Sequence, residues 1–153
     1  MPTVFERIIE RLTSTGISHQ VSHHAPVFTS EEAAAVRGVS LSCGAKALIM
    51  RAGDEFLMGV IPADRKLDSK KLKQFRGVKS LRFASREEVL ELTGLLPGSI
   101  PPFGSLFGLP TLMDPALGLN ETITFNAGDH AISVFMSFGD YLTVEKPVVA
   151  ELT

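Results

Sequence analysis

The sequence predicts one α+β domain built on antiparallel strand pairs, and three observations carry that prediction. Helix-start signatures and strand-length apolar runs interleave without a regular βαβ repeat; two pairs of strand runs are joined by glycine-containing turns; and no linker, repeat or low-complexity tract divides residues 1–153. A chain of this length buries roughly 70% of its unfolded surface in a single core. Its 44% hydrophobic and 21% charged residues match a folding chain and not a disordered one.

Thr3-Val4-Phe5-Glu6 is a capping box, and Phe5, Ile8, Ile9 and Leu12 repeat at helical spacing until Gly16. Ile17 to His23 alternates as a short strand. After Pro26, Thr29-Ser30-Glu31-Glu32 opens a short helix that Gly38 closes. Two apolar runs, Ala45 to Arg51 and Glu55 to Ile61, flank the turn Ala52-Gly53-Asp54 and predict a hairpin. Asp68 caps a basic helix through Phe75 that Gly77 ends. Ser80 to Ala84 reads as a strand, and Ser85-Arg86-Glu87-Glu88 caps a helix ending at Gly94. From Gly94 to Pro110 four prolines and four glycines exclude a regular element of any length, and a long uncharged loop inside a compact domain is usually functional. Thr122 to Asn126 and Ala131 to Phe135 form a second hairpin around Ala127-Gly128-Asp129-His130, and Val144 to Leu152 is expected to add a last edge strand.

Cys43 is the only cysteine, which excludes an intrachain disulfide and a four-cysteine zinc site and fits a reducing compartment. The start of the chain lacks the basic and apolar regions of a signal peptide, and the longest uncharged stretch, Thr93 to Met113, is broken by its glycines and prolines. A cytoplasmic protein without membrane contact is expected.

Lys46 interrupts an apolar strand and shares a face with Leu48 and Met50. Burying an unpaired ammonium costs several kcal/mol, so it either snorkels outward as an edge lysine or binds an anion at the floor of a pocket. In Gly98-Ser99-Ile100-Pro101-Pro102-Phe103-Gly104, prolines between glycines either stiffen a surface turn or hold backbone N–H groups on one spot, where they would polarise a carbonyl. His130 lies in a hairpin turn, and no HExxH or G-x-S-x-G spacing occurs, so neither a metal nor a cofactor nor a serine triad is expected. Cys43 as a nucleophile competes with the commoner case of a buried structural thiol. Between Arg65 and Arg86 nine basic residues face Asp68 alone, a local charge of +8 in a chain of net charge −2. That asymmetry predicts a polyanion-binding face, with Lys70, Lys71, Lys73 and Arg76 at its centre, and few aromatic residues interleave with it for base stacking.

In order, His24-Ala25-Pro26-Val27-Phe28-Thr29, Gly44-Ala45-Lys46-Ala47-Leu48, the Gly98–Gly104 string, Leu109-Pro110-Thr111-Leu112-Met113-Asp114 and Phe125-Asn126-Ala127-Gly128 resemble the YbaK/prolyl-tRNA synthetase-associated editing domain. The resemblance covers nearly the whole chain. It implies a mostly antiparallel, mixed sheet curled into a barrel-like core with surrounding helices, and an aminoacyl-tRNA deacylase of the free-standing, trans-acting type. By the same resemblance Lys46, Gly98 and His130 are the catalytic positions. His24, Thr29, Ser99, Ile100, Pro101, Pro102, Phe103, Gly104 and Asp114 bind substrate. Mischarged tRNA is the partner, with tRNA(Pro) carrying alanine or another small amino acid first among candidates, and a transient complex with prolyl-tRNA synthetase is allowed for, whereas DNA is not a partner. Water would be activated by the vicinal hydroxyl of the tRNA ribose. A non-catalytic tRNA-binding module of the same fold is the alternative.

Overall fold

The structure is a computed structural model that describes every residue from Met1 to Thr153. The three capping boxes form with both bonds in place. They open α1 (Val4–Ser14), α2 (Ser30–Arg37) and, further along, the helix at Arg86–Thr93. Between α1 and α2 runs β1 (His19–His23). The first hairpin is β2 (Ala45–Ala52) and β3 (Glu55–Pro62), with Ala52 opposite Glu55 and the tight turn made by Gly53, at φ +61°, and Asp54. Asp68 caps α3 (Ser69–Arg76), β4 is Leu81–Phe83, and α4 is the Arg86–Thr93 helix.

Beyond α4 the expectations need correction. Residues Gly94 to Pro110 hold only a 3-10 turn at Gly104–Phe107, as their prolines require. Thr111–Met113, however, forms β5, which runs parallel to β3, so the sheet is not built on antiparallel pairs alone. The second hairpin, β6 (Thr122–Asn126) and β7 (Ile132–Ser137), is antiparallel as expected. The expected last edge strand within Val144 to Leu152 is present but only two residues long, β8 (Val148–Val149), parallel to β5, and the start of that range is the end of a helix not expected from the sequence, α5 (Phe138–Glu145). Ser137 caps α5 by accepting from the Asp140 N–H, and Pro147 prevents the helix from continuing.

The strands pair into two sheets, β1-β7-β6 and β4-β2-β3-β5-β8, linked by one parallel bridge between Gly44 and Thr124. They do not close into a barrel. The main core lies where the sheets face each other: Ile49, Met58 and Val60 meet Ile123, Phe125 and Val134, with Ile8 and Leu12 of α1 and Tyr141 of α5 closing the ends. The alternate side chains Met50, Leu57 and Ile61 enter a second cluster with Leu72 of α3 and Leu152. This two-faced burial explains why β3 reads as a continuous apolar run. No helix is long and apolar enough to cross a membrane.

Candidate active site

Strand β2 pairs with β3 along its whole length but with β4 only at Met50, Arg51 and Ala52. The Ala84 N–H adds one more bond to the Ile49 carbonyl, at 2.9 Å. Because main-chain groups of alternate residues point to the same edge, the N–H and C=O of Ala47 face the same side, where no strand continues. A cavity of about 750 Å³ occupies that gap. The β2 edge, α2, the Ala63–Lys66 segment, Ala84 and Val89, the Pro97–Ile100 loop and the end of β6 surround it.

Lys46 is exposed on the cavity wall, and none of the three ion pairs of the fold uses it. Its neighbour Ala45 is buried in the core, but the Lys46 side chain is exposed, so the ammonium avoids burial and stays available to a ligand. Gly98 sits at φ +91°, in the region that favours glycine, and a methyl group there would lie 3.3 Å from His130 Nε2.

Three successive peptide planes of this loop are pinned by their carbonyls. His130 Nε2 meets the Pro97 carbonyl at 3.3 Å, Asn126 Nδ2 donates to the Gly98 carbonyl at 2.6 Å, and the Gly128 N–H donates to the Ser99 carbonyl at 2.9 Å. In a trans peptide the N–H points opposite to its C=O. The N–H groups of Gly98 and Ile100, on the first and third planes, therefore turn away from the β6–β7 hairpin. Neither has an acceptor within the protein, whereas those of Ser99, Phe103 and Gly104 do, and Gly98 and Ile100 both line the cavity.

The other residues singled out from the sequence separate into those at the cavity and those behind it. Thr29 lines the cavity, but its hydroxyl accepts the Glu32 N–H as the cap of α2. The His130 ring lies 4.9 Å from that of Phe28, which is 72% exposed on the cavity wall. Ser99 is buried with its hydroxyl donating to the Leu96 carbonyl. Pro101, Pro102, Phe103 and Gly104 are buried supports: Tyr141 donates to the Pro102 carbonyl at 2.6 Å, Phe103 packs edge-on against Phe125 and Tyr141, and Gly104 donates to Thr111.

Asp114 is not brought to the cavity. Its carboxylate caps the 3-10 turn at Pro115–Leu119 through Ala116 and accepts from the Leu152 and Thr153 N–H groups and the Thr153 hydroxyl. Burial pushes its pKa up, but these donors outweigh burial and hold it below the ordinary carboxylate value. Nor does the cavity include Lys70, Lys71, Lys73 or Arg76. Arg76 pairs with Glu55, Arg82 pairs with Glu88, and Lys71 donates to the Thr153 carbonyl, so part of the local charge is spent inside the fold. Cys43 donates to the Ser40 carbonyl, and burial pushes its thiol up, away from the thiolate. No cluster of metal-ligating side chains occurs.

The site also contains residues that the sequence did not single out. Arg37 lines the cavity, half-buried, with only neutral partners: Nε donates to Ser133 Oγ and Nη2 to Asn126 Oδ1, each at 2.8 Å. Burial lowers its pKa to about 10, which leaves it charged at neutral pH. His24, which the resemblance assigns to substrate binding, does not line the cavity; it lies behind Arg37 and contacts the same Ser133 hydroxyl at 2.8 Å. At the end of a helix an arginine reads as a complement to the dipole, so nothing local distinguished Arg37. Phe28 and Phe83, 72% and 59% exposed, share the cavity wall with the exposed Arg65 and Lys66. Base-stacking surface is thus present near the cations, although the aromatic residues do not interleave with them in sequence.

The family model of the aminoacyl-tRNA editing domain matches residues 24–144. The chain is 33% identical over 147 residues to the Multifunctional Ser/Thr-tRNA deacylase ProXp-y of Escherichia coli K12, covering 93% of this chain and 88% of that protein. It is 32% identical over 111 residues to a proline--tRNA ligase of Bacillus licheniformis, covering 67% of this chain but only 19% of the ligase. Among solved structures, the hypothetical protein APE2540 superposes with a TM-score of 0.88 at 28% identity, covering 96% of this chain and 99% of that one. A candidate trans-editing enzyme for prolyl tRNA synthetase superposes at 0.87 with 24% identity, covering 100% and 98%, a likeness of fold.

Proposed function

Because the chain belongs to the aminoacyl-tRNA editing domain family, we propose that it is a deacylase that hydrolyses, in trans, the ester joining a small, wrongly attached amino acid to the 3′ end of a tRNA. The observation that carries the mechanism is the pair of unpaired N–H groups, Gly98 and Ile100, on a cavity that also holds Lys46. Ester hydrolysis gathers negative charge on the carbonyl oxygen, and one preorganised donor there is worth about 3–4 kcal/mol. The exposed ammonium of Lys46 holds the sugar or phosphate of the terminal nucleotide and so sets the ester in register with those donors. Phe28 and Phe83 offer ring faces to its unpaired bases, and Arg65 and Lys66 offer charge to its backbone.

Water adds to the carbonyl carbon, the bond to the ribose oxygen breaks, and the proton passes to that oxygen, releasing the free amino acid and an uncharged tRNA. The acidic residues on the cavity, Glu31 and Asp64, are exposed, and His130 is engaged with Pro97. The substrate's own 2′-hydroxyl therefore serves to orient and activate the water. Alanine, serine and threonine are the side chains to consider. Alanine follows from the family resemblance, and serine and threonine from the name of the Escherichia coli relative. tRNA(Pro) is the first acceptor to test, given the likeness to the ligase, and a transient complex with prolyl-tRNA synthetase is the corresponding partnership.

The test is deacylation of tRNA(Pro), tRNA(Ala) and tRNA(Thr), each charged with alanine, serine or threonine, by the purified protein and by Lys46→Ala. Hydrolysis of at least one substrate, lost in Lys46→Ala, is the expected result. Saturable tRNA binding with no hydrolysis of any substrate would establish the non-catalytic binding module instead.

A further inference from the structure

The donor pair on the Gly98 loop depends on a polar chain behind it whose direction can be followed atom by atom. His24 Nδ1 lies 2.8 Å from the Ala25 carbonyl, which only accepts, so Nδ1 carries a hydrogen, and Nε2 meets the Ser133 hydroxyl at 2.8 Å. The same hydroxyl oxygen accepts from Arg37 Nε, which can only donate. Arg37 Nη2 donates to Asn126 Oδ1, which leaves Asn126 Nδ2 turned toward the Gly98 carbonyl at 2.6 Å. An asparagine amide is free to flip unless its two ends are told apart, and the guanidinium, which can only donate, fixes which end is oxygen.

Arg37 has no carboxylate partner. A half-buried cation held only by neutral groups is costly for stability, which argues that its place is kept for another reason.

We propose that Arg37 is a positioning residue that acts through Asn126 to hold the Gly98 peptide, so that the N–H groups of Gly98 and Ile100 face the cavity when substrate arrives. Flipping or removing the Asn126 amide frees the Gly98 carbonyl, and the loop turns at a backbone of φ +91° that no side chain restrains. A displacement of about 1 Å at donors of this kind costs on the order of 100-fold in rate. This role rests on the deacylase reading above for its effect on turnover, but not for its effect on the loop.

The decisive variant is Asn126→Asp. Its carboxylate keeps and strengthens the contact with Arg37, so the fold is retained, but it has no hydrogen to give to the Gly98 carbonyl. Two readouts are taken. Amide hydrogen exchange at Ser99 and Gly128, whose N–H groups are bonded to Leu96 and Ser99, should accelerate at least about tenfold while exchange in β2 and β3 stays at the parental rate. Single-turnover deacylation should fall about 30-fold or more, with tRNA affinity within about threefold of the parent. Arg37→Met should lower turnover about tenfold in the parent and by much less in Asn126→Asp, the non-additivity expected of two residues acting as one unit. Unchanged exchange at Ser99 and Gly128 in Asn126→Asp would overturn the proposal, as would independent, additive effects of the two substitutions. A parent protein that deacylates nothing would refute the deacylase reading alone, because the exchange experiment would still decide the role of Asn126.

Discussion

Two polar clusters brace the chain between Gly98 and Asp114, and they end differently. At one end, Glu145 accepts from the Ser105 N–H and hydroxyl and from Thr111, with Arg11 at 3.7 Å, while Asp114 gathers Ala116 and the last two residues. The donors that meet these carboxylates are consumed inside the fold. At the other end, the chain from His24 through Ser133, Arg37 and Asn126 stops on a loop whose Gly98 and Ile100 N–H groups remain unused. A closed network spends its polar groups on stability, whereas one left open at a cavity keeps them for a ligand. The comparison therefore predicts that substitutions separate into those that lower turnover and those that lower stability.

The widest separation of turnover from stability is expected at Lys46. Its ammonium is exposed and bonded to nothing in the fold, so Lys46→Ala should leave thermal unfolding within about 0.5 kcal/mol of the parent and reduce single-turnover deacylation about 100-fold. Equal loss of folding and activity would move Lys46 to the structural side of the comparison.

Next is Gly98→Val, which adds a side chain against His130 at a positive φ. Turnover should fall about 100-fold, by more than tRNA binding weakens. Ser99→Ala, which removes only the hydroxyl bond to Leu96, should stay within about threefold of the parent. A trapped acyl-enzyme that disappears in Ser99→Ala would mean a serine nucleophile.

On the closed side, Asp114→Asn should destabilise by about 1–3 kcal/mol, because one oxygen must become a donor amid donors. Activity per folded molecule should not change. Asp114 has a folded-state pKa below its ordinary value. Its stabilising contribution is therefore complete above the ordinary carboxylate range and lost as pH falls through the lowered value. Acid titration of the thermal midpoint should show that loss in the parent, and it should be smaller in the variant.

The smallest effect is expected on α3. Changing Lys70, Lys71 and Lys73 together to alanine should reduce the salt dependence of tRNA binding by up to about one unit of log–log slope per lost phosphate contact. An identical slope would place the tRNA contacts away from α3, on the cavity-wall cations that include Arg65 and Lys66.

Much of this architecture is legible in the sequence because its signals are local. Thr3, Thr29 and Ser85 each meet a glutamate three residues on, and Gly38, Gly77 and Gly94 end their helices in the left-handed conformation that glycine favours. What was not legible depends on distance. β5 is three residues long, too short to show a period, and exists because Met58 lies opposite Thr111. α5 carries Gly139 and the β-branched Thr143 and Val144, which weaken its helical signal, although Ser137 and Asp140 mark its start. The local charge excess overstated the free cations, because Glu88, just outside the basic window, pairs with Arg82, and Glu55 of β3, ten residues before it, meets Arg76 in the fold.

At the site, Lys46 and Gly98 stood out by chemistry that conflicts with a plain strand or a plain turn. Arg37 did not, because its partners Ser133 and Asn126 lie 96 and 89 residues away.

The claim that unites these expectations is that main-chain N–H groups, and not a side chain, meet the developing charge. Replacing Gly98 by its α-hydroxy acid puts an ester oxygen in place of that one N–H and adds no side chain. Single-turnover deacylation should then fall about 100- to 1000-fold with tRNA affinity preserved, because the N–H removed has no partner inside the fold. Parental turnover from the Gly98 ester protein would contradict the account.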